Sequence, residues 1–85
     1  MHAVYLIQND VSKEIYIGYT TDLKARLTQH NARGQKFTTR TVGLWKYAYV
    51  ELYRNEKDAR VREQRLKNHG SGKHELFKRL KNSVL

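Results

Sequence analysis

Residues 3–8, Ala-Val-Tyr-Leu-Ile-Gln, and residues 14–19, Glu-Ile-Tyr-Ile-Gly-Tyr, decide the fold of this chain. Both runs are rich in β-branched, aromatic and aliphatic residues, and the polar stretch 9–13 separates them. Such runs are typical of β-strands, and their spacing predicts a hairpin with a longer turn. Tyr5 and Tyr16 would then lie on paired strands, where their hydroxyls could come close together at one rim of the sheet.

The next elements are a helix, a basic loop and a third strand. Residues 20–22, Thr-Thr-Asp, offer N-caps for a helix that ends near residues 31–34. Residues 34–43 carry lysine, arginine and threonine without periodicity, which predicts a loop whose hydroxyls can contact phosphate. The aromatic stretch 44–53 predicts the third strand.

Two more helices complete the chain. Asn55, with Asp58 three residues later, resembles a capping arrangement and opens a helix that runs to about Lys67. Glycines in residues 68–72 interrupt it, and the apolar positions after them predict a short last helix. The order β-β-α-β-α-α predicts an α+β fold, with a small three-stranded antiparallel sheet flanked by helices. We expect residues 1–85 to form a single domain.

The chain is strongly basic, with a formal net charge of +9 and a pI near 10.0. No acidic residue occurs between Asp22 and Glu51. This distribution favours a nucleic acid as partner, either DNA or RNA, over mere solubility or adhesion to an acidic membrane surface. The residues that we expect to contact the nucleic acid are Lys24, Arg33, Lys36, Thr38 and Arg40.

Other classes of protein are disfavoured by what the chain lacks. It has no cysteine, which excludes a disulfide framework and thiolate zinc sites and favours a reducing, cytoplasmic compartment. No apolar run approaches the ~20 residues that span a bilayer. Met1 leads into a predicted strand rather than a signal peptide, so we expect neither secretion nor membrane insertion.

Arg26 and His30 stand four residues apart in the first predicted helix, so their side chains share a face and can approach one object together. Each also has a purely structural explanation. An arginine on a basic helix is commonly a surface residue, and a histidine near a helix C-terminus interacts favourably with the helix dipole.

Glu63 falls on the face of the second predicted helix that packs on the sheet, together with Ala59 and Leu66. A carboxylate there needs a partner, which could be Lys67 one turn later in an ion pair. The alternative is a divalent cation, since Mg²⁺ is commonly held by one or two carboxylates plus waters and substrate phosphate. Tyr5 and Tyr16 have a structural explanation too, because tyrosines in strands are usually packing residues.

In order along the chain, these residues resemble the GIY-YIG endonuclease superfamily, particularly its small stand-alone bacterial branch, which is similar to the N-terminal domain of the excision-repair endonuclease. The resemblance extends over nearly the whole chain. The segments that carry it are Ala3-Val4-Tyr5, Tyr16-Ile17-Gly18, Thr20-Thr21-Asp22-Leu23, Arg26, Gln29-His30-Asn31, Lys36-Phe37-Thr38 and residues 59–67 with Glu63.

The resemblance implies the same α+β fold and a one-metal hydrolysis of a phosphodiester bond. Glu63 would bind one Mg²⁺ or Mn²⁺ ion, which stabilises charge on the leaving 3′ oxygen. Arg26 would hold a non-bridging phosphate oxygen. Tyr5, assisted by His30, would take the proton from the attacking water, and Tyr16 would help to position the phosphate or the water on the metal.

The chain departs from the family pattern at three places. Its first triplet is Ala-Val-Tyr rather than Gly-Ile-Tyr, which keeps the hydroxyl of Tyr5. Tyr19 stands where a lysine is often found, so the phosphate contact would be absent or supplied by Lys24. Members often carry a late asparagine, and neither Asn68 nor Asn82 fits that position well.

Three functional hypotheses follow. The preferred one is a metal-dependent DNA endonuclease that acts on branched, flapped or damaged structures in repair or recombination, with further specificity from a partner protein. The second is a noncatalytic nucleic-acid-binding module of the same fold. The third is a small RNA-associated protein, because exposed tyrosines can stack on bases.

Overall fold

The computed structural model describes residues 1–32, 43–68 and 70–84. The elements are β1 (His2–Asn9), β2 (Ile15–Thr20), α1 (Leu23–Asn31), β3 (Trp45–Tyr53), α2 (Glu56–Asn68) and α3 (Gly70–Arg79). The strands form one antiparallel sheet in the order β2-β1-β3, so β1 is central. The predicted α+β fold and its order β-β-α-β-α-α are confirmed.

The first two strands form the predicted hairpin, in which Tyr5 lies opposite Gly18. The side-chain oxygen of Asn9 accepts hydrogen bonds from two backbone N–H groups of the turn, at 2.9 and 3.0 Å. Asparagine commonly stabilises turns in this way. Tyr5 and Tyr16 consequently lie on the same face of the sheet as diagonal neighbours, with their ring centroids 6.4 Å apart.

Side chains of β1 alternate between two apolar clusters, one on each face of the sheet. Helices α2 and α3 cover one cluster, which contains Val4, Leu6, Ile17, Ala59, Leu66, Leu76 and Leu80. Helix α1 covers the other, where Leu23 and Leu27 pack against Tyr5, Ile7 and Trp45. Because the central strand is covered on both faces, its sequence is a continuous apolar run rather than an alternating one.

A bulge in β3 aligns its aromatic residues with the face under α1. The pairing with β1 shifts by one residue, and Ala48 is the additional residue. In a regular strand Tyr47 and Val50 would point to opposite faces, because side chains alternate. The bulge lets both pack in the cluster that contains Tyr5.

A half-buried network fixes α2 against β3. Arg62 of α2 donates to both carboxylate oxygens of Glu51, from Nε at 3.0 and 3.2 Å and from Nη2 at 3.0 Å. The hydroxyls of Tyr49 and Tyr53 donate to the same carboxylate, at 2.7 and 2.5 Å. Bidentate pairing of this kind is geometrically specific, so it sets the position of α2 and of Glu63, the next residue.

The helix boundaries agree with the sequence except at the start of α3. Asp22 caps α1, and the Asn55 side chain accepts a hydrogen bond from a backbone N–H in the first turn of α2 at 2.8 Å. α2 ends at Asn68 and α3 begins at Gly70, both within the predicted segment 68–72. Gly72 lies inside α3, so the prediction that the last helix begins after the glycines is wrong. The burial of apolar residues such as Leu76 outweighs the weak helix propensity of two glycines.

Residues 34–42 of the predicted basic loop lie outside the described residues. In the part of the chain that the structure does describe, no helix combines the length and the apolar character needed to cross a bilayer.

Candidate active site

Three side chains from β1 and α1 meet at one hydroxyl group. Tyr5 projects from the central strand and is 1% exposed. Arg26 donates from Nε to the Tyr5 hydroxyl oxygen at 3.2 Å, and His30 Nε2 lies 2.8 Å from the same oxygen. The Arg26 and His30 side chains do approach one object, as their spacing predicts, and that object is a tyrosine hydroxyl.

Both ends of α1 are fixed to the sheet, which places these side chains. At its start, the Tyr47 hydroxyl donates to the backbone carbonyl of Leu23. At its end, Asn31 donates to the backbone carbonyl of Trp45 at 3.1 Å and accepts from its N–H at 2.8 Å. The Asn31 side chain thus bonds both backbone groups of Trp45, as a neighbouring strand would. They hold the last turn of the helix, including the buried His30, against β3.

Gly18 leaves room for the Tyr5 ring. A Cβ atom at this position would lie 2.5 Å from Cζ of Tyr5 and 3.0 Å from Cε1 of Tyr16. Both distances are shorter than the ~3.5–4.0 Å at which carbon atoms pack favourably. The glycine of the second triplet is therefore required by the tyrosines of both triplets.

We expect Gly18→Ala to destabilise the protein by about 1–3 kcal/mol and to push the Tyr5 hydroxyl away from His30, because the added methyl overpacks the site. Urea denaturation measures the first effect. Gly72→Ala is the matched control: its added Cβ would come no closer than 3.6 Å to a backbone oxygen, and removing a helical glycine should stabilise by about 0.5–1 kcal/mol. Equal effects of the two substitutions would contradict the prediction.

Burial and the charge of Arg26 determine the protonation of Tyr5 and His30. Burial raises the pKa of Tyr5 to about 12, although the hydrogen bond and charge of Arg26 act in the opposite direction. Burial lowers the pKa of His30 to about 4, and the Arg26 charge adds to this effect. At pH 7 both groups are neutral. Since the Tyr5 oxygen accepts from Arg26, its own proton is assigned to the bond with an unprotonated His30 Nε2.

The lowered pKa of His30 predicts a loss of stability in mild acid. In the unfolded chain the pKa is ~6.5, so between that value and about 4 the unfolded state binds more protons than the folded state. This contribution to stability is complete above pH ~6.5 and disappears as the pH falls to about 4. Its full size is on the order of 3 kcal/mol, which follows from the pKa difference.

Urea denaturation between pH 7.5 and 4 measures this loss. His30→Gln should remove that part of the pH dependence, whereas His74→Gln, a substitution at an exposed position of α3, should retain it. If the stability of His30→Gln falls with pH as steeply as that of the wild type, the assignment of the effect to His30 is wrong.

Glu63 lies on the buried stripe of α2, as predicted, and is 6% exposed. Two cations hold its carboxylate: Lys67 Nζ lies 2.9 Å from Oε2, and Arg60 Nη1 lies 3.4 Å from Oε1. The ion pair with Lys67 that the sequence leaves open is therefore present. Lys67 Nζ also lies 5.7 Å from the centroid of the Tyr16 ring, so this lysine connects Glu63 to the tyrosines of the site.

In the described part of the chain no group of three or more His, Cys, Asp or Glu side chains converges, so a divalent cation at Glu63 would have at most two such ligands there. That donor set fits Mg²⁺ or Mn²⁺, hard ions that also take water and phosphate oxygens. The side chains of Arg60 and Lys67 are 53% and 37% exposed, so they can turn to another anion. The site fits an ion that is bound jointly with substrate rather than in an all-protein cage.

Of the five residues predicted to contact phosphate, only one lies in the part of the chain that the structure describes. Lys24 is exposed on α1. Arg33, Lys36, Thr38 and Arg40 lie outside the described residues, and their roles stay predictions. As for the late asparagine, the Asn68 amide donates to Gln64 at 2.6 Å on an exposed part of α2.

Sequence reasoning missed the contributions of Tyr47 and Asn31. The Tyr47 ring packs edge-on against Tyr5, with centroids 5.6 Å apart. Alternation from Trp45 places Tyr47 on this face, whereas the bulge at Ala48, which brings Val50 to the same face, has no signal in the sequence. Asn31 belongs to the family pattern in the sequence, but the pattern assigns it no role.

Known proteins resemble this chain over most of its length. A model of the GIY-YIG catalytic domain matches residues 1–79. The chain belongs to the GIY-YIG family. The members of this family are nucleases, and they generally use divalent metal ions.

Two relatives illustrate the similarity of this GIY-YIG chain to other proteins. A UPF0213 protein of Staphylococcus haemolyticus is 36% identical over 69 residues, which cover 78% of this chain and 79% of the relative. A UPF0213 protein of Streptococcus pyogenes serotype M3 is 62% identical over 29 residues, 33% of this chain and 32% of the relative. No solved structure matches the chain.

Proposed function

We propose that this GIY-YIG domain is a metal-dependent endonuclease that hydrolyses phosphodiester bonds of DNA. The observation that carries the proposal is the hydroxyl of Tyr5, buried and bonded to Arg26 at 3.2 Å and to His30 at 2.8 Å. Packing alone would be satisfied by a phenylalanine at this position. A hydroxyl between a guanidinium and a neutral imidazole can instead receive one proton and pass on another.

Tyr5 and His30 form a proton relay in this mechanism. A water oxygen bonds to phosphorus while the bond from phosphorus to the 3′ oxygen breaks. The proton of the water passes to the Tyr5 oxygen as the Tyr5 proton passes to His30 Nε2, and the departing oxygen takes a proton from solvent. The relay avoids a free tyrosinate, which a pKa of about 12 disfavours at neutral pH.

Arg26 binds the phosphate and assists the relay. Its guanidinium has five N–H donors, more than its bonds to Tyr5 and Gln29 use, so it can also hold a non-bridging phosphate oxygen. A phosphate there offsets the positive charge that helps to lower the pKa of His30. Substrate binding thus makes His30 a better proton acceptor.

Tyr16 and Glu63 complete the site. The Tyr16 ring lies 5.0 Å from the His30 ring and 6.4 Å from the Tyr5 ring, where it can position the phosphate. Glu63 is the residue that would hold Mg²⁺ or Mn²⁺, an ion that supplies positive charge for the leaving 3′ oxygen.

The proposed substrate is DNA with a branched, flapped or damaged structure, which the domain recognises by its shape and phosphate backbone. This proposal is supported by the net charge of +9 and by the family. A role in cytoplasmic DNA repair or recombination, with a partner protein that adds specificity, belongs to the same proposal. Competition between DNA and RNA of matched sequence tests the choice of nucleic acid.

A second candidate function is a nucleic-acid-binding module of the same fold without cleavage activity. The observation that favours it is the pairing of Glu63 with Lys67 and Arg60, which occupies the carboxylate. Both functions predict salt-sensitive binding, so binding does not discriminate between them.

The discriminating experiment incubates the purified chain with supercoiled, single-stranded, flapped and branched DNA in Mg²⁺, Mn²⁺ or EDTA. A nuclease cleaves at least one substrate with either metal and none in EDTA. A Glu63→Ala preparation purified in parallel controls for contaminating nucleases. Binding to every substrate without cleavage of any of them would favour the noncatalytic module.

A further inference from the structure

Each cation beside Glu63 rests on a tyrosine of β2. The guanidinium of Arg60 lies 3.7 Å from the ring centroid of Tyr19, and the ammonium of Lys67 lies 5.7 Å from that of Tyr16. The two tyrosines are three residues apart in a strand, so they face opposite sides of the sheet. Because β2 is an outer strand, the two cations flank its edge, with the Glu63 carboxylate between them.

We propose that Arg60 and Lys67 are phosphate-binding residues, which Glu63 retains until a divalent ion takes its carboxylate. The inference rests on the proposed function in that Glu63 is the metal ligand. Before the ion binds, the two cations balance the charge of a carboxylate that is 8% exposed in its side chain. Once a doubly charged ion is there, both are repelled from it.

The repulsion between a divalent ion at Glu63 and the two cationic side chains is large enough to change the affinity for the ion. A double and a single positive charge about 5 Å apart repel each other enough to change an affinity by roughly tenfold, even in water. Arg60 and Lys67 have long side chains that are 53% and 37% exposed, so they can exchange Glu63 for another anion without a change in the backbone.

The groove beside β2 gives Lys67 access to a nucleic acid strand. It has a volume of about 530 Å³, and Tyr16, Lys67 and Lys73 are among its lining residues. Glu14 also lines the groove, so a phosphate there would meet two lysines and one glutamate beside an aromatic ring, which leaves a net positive charge. When a metal ion takes the Glu63 carboxylate, a phosphate in the groove can replace that carboxylate as the anionic partner of Lys67.

The exchange makes metal and DNA binding cooperative. A metal ion on Glu63 releases two cations for phosphate, and phosphate that takes these cations releases Glu63 for metal. By linkage the two ligands must strengthen each other's binding by the same factor. A fixed cation pair that does not exchange would leave only the coupling that comes from direct contact between the ion and phosphate.

The test compares wild type with an Arg60→Gln/Lys67→Gln variant. The matched control is Lys57→Gln/Arg65→Gln, which removes the same charge from exposed positions of the same helix. Without DNA, we expect the first variant to bind Mn²⁺ roughly tenfold more tightly than wild type in a titration calorimeter, because the competing cations are gone. The control should stay within about twofold of wild type, because its charges lie farther from Glu63.

The second measurement is the affinity for a flapped DNA at constant ionic strength, with and without Ca²⁺ as an oxygen-ligated ion. Ca²⁺ should strengthen binding by wild type and by the control at least about fivefold more than it strengthens binding by the Arg60→Gln/Lys67→Gln variant. Unchanged Mn²⁺ affinity of that variant, or a Ca²⁺ effect in it as large as that in wild type, would overturn the inference. Cleavage without coupling rejects only the exchange, and coupling without cleavage rejects only the proposed nuclease.

Discussion

Glu63→Gln is expected to reduce metal-dependent DNA cleavage by at least about 10³-fold while the fold persists. The amide keeps the shape of the side chain but loses the charge that would bind Mg²⁺ or Mn²⁺. A metal ion contributes several kcal/mol to phosphoryl-transfer catalysis, and each ~1.4 kcal/mol is a factor of ten in rate. Initial rates at saturating metal, with circular dichroism and urea denaturation for the fold, measure both parts of this prediction.

Glu56→Gln is the matched control for Glu63. Glu56 also pairs with Arg60, at 3.7 Å, but its side chain is 60% exposed in the first turn of α2. We expect this variant to keep its cleavage rate within about twofold of wild type, since exposed ion pairs contribute little. If Glu63→Gln unfolds instead of losing activity, Glu63 is a structural ion-pair residue.

Tyr5→Phe is expected to lower the cleavage rate by about 10²- to 10⁴-fold, the range typical of a lost general base. The substitution retains the ring that packs over Gly18 and removes only the hydroxyl between Arg26 and His30. Loss of one buried hydrogen-bonding group should cost about 1–3 kcal/mol of stability. Single-turnover rates and DNA affinity, measured together, separate the chemical step from binding.

Tyr47→Phe makes the same chemical change in a ring that touches Tyr5. Its hydroxyl donates to the backbone carbonyl of Leu23 rather than to the Arg26–His30 pair. We therefore expect a comparable loss of stability but a much smaller loss of rate. Equal losses of rate in the two variants would show that the Tyr5 hydroxyl has a packing role only.

Much of the fold was predictable because strand and helix signals are local. The apolar runs that became β1 and β2 and the cap at Asp22 act over a few residues, so they can be read before any tertiary contact exists. The start of α3 at Gly70 was not predictable in this way. There, packing of Leu76 and Leu80 in the core outweighs the local preference of glycine.

The same division holds for the candidate site. Spacing alone places Arg26 and His30 on one face of a helix, and the resemblance to GIY-YIG proteins supplies roles for Tyr5, Tyr16 and Glu63. The sequence does not reveal that both helix residues converge on the Tyr5 hydroxyl. That convergence needs α1 to pack on a particular face of β1. Arg26 is 21 positions and His30 is 25 positions from Tyr5 in the sequence, so they meet Tyr5 only through tertiary structure.

The sequence by itself determined the elements, the basic character of the chain and its family, because these depend on residue type and local spacing. Only the tertiary structure decided the protonation of the site and the burial of Glu63. A pKa depends on burial and on nearby charge, and both arise when distant segments pack together. The neutral His30 and the tyrosines that lie beside Arg60 and Lys67 are therefore properties of the folded chain.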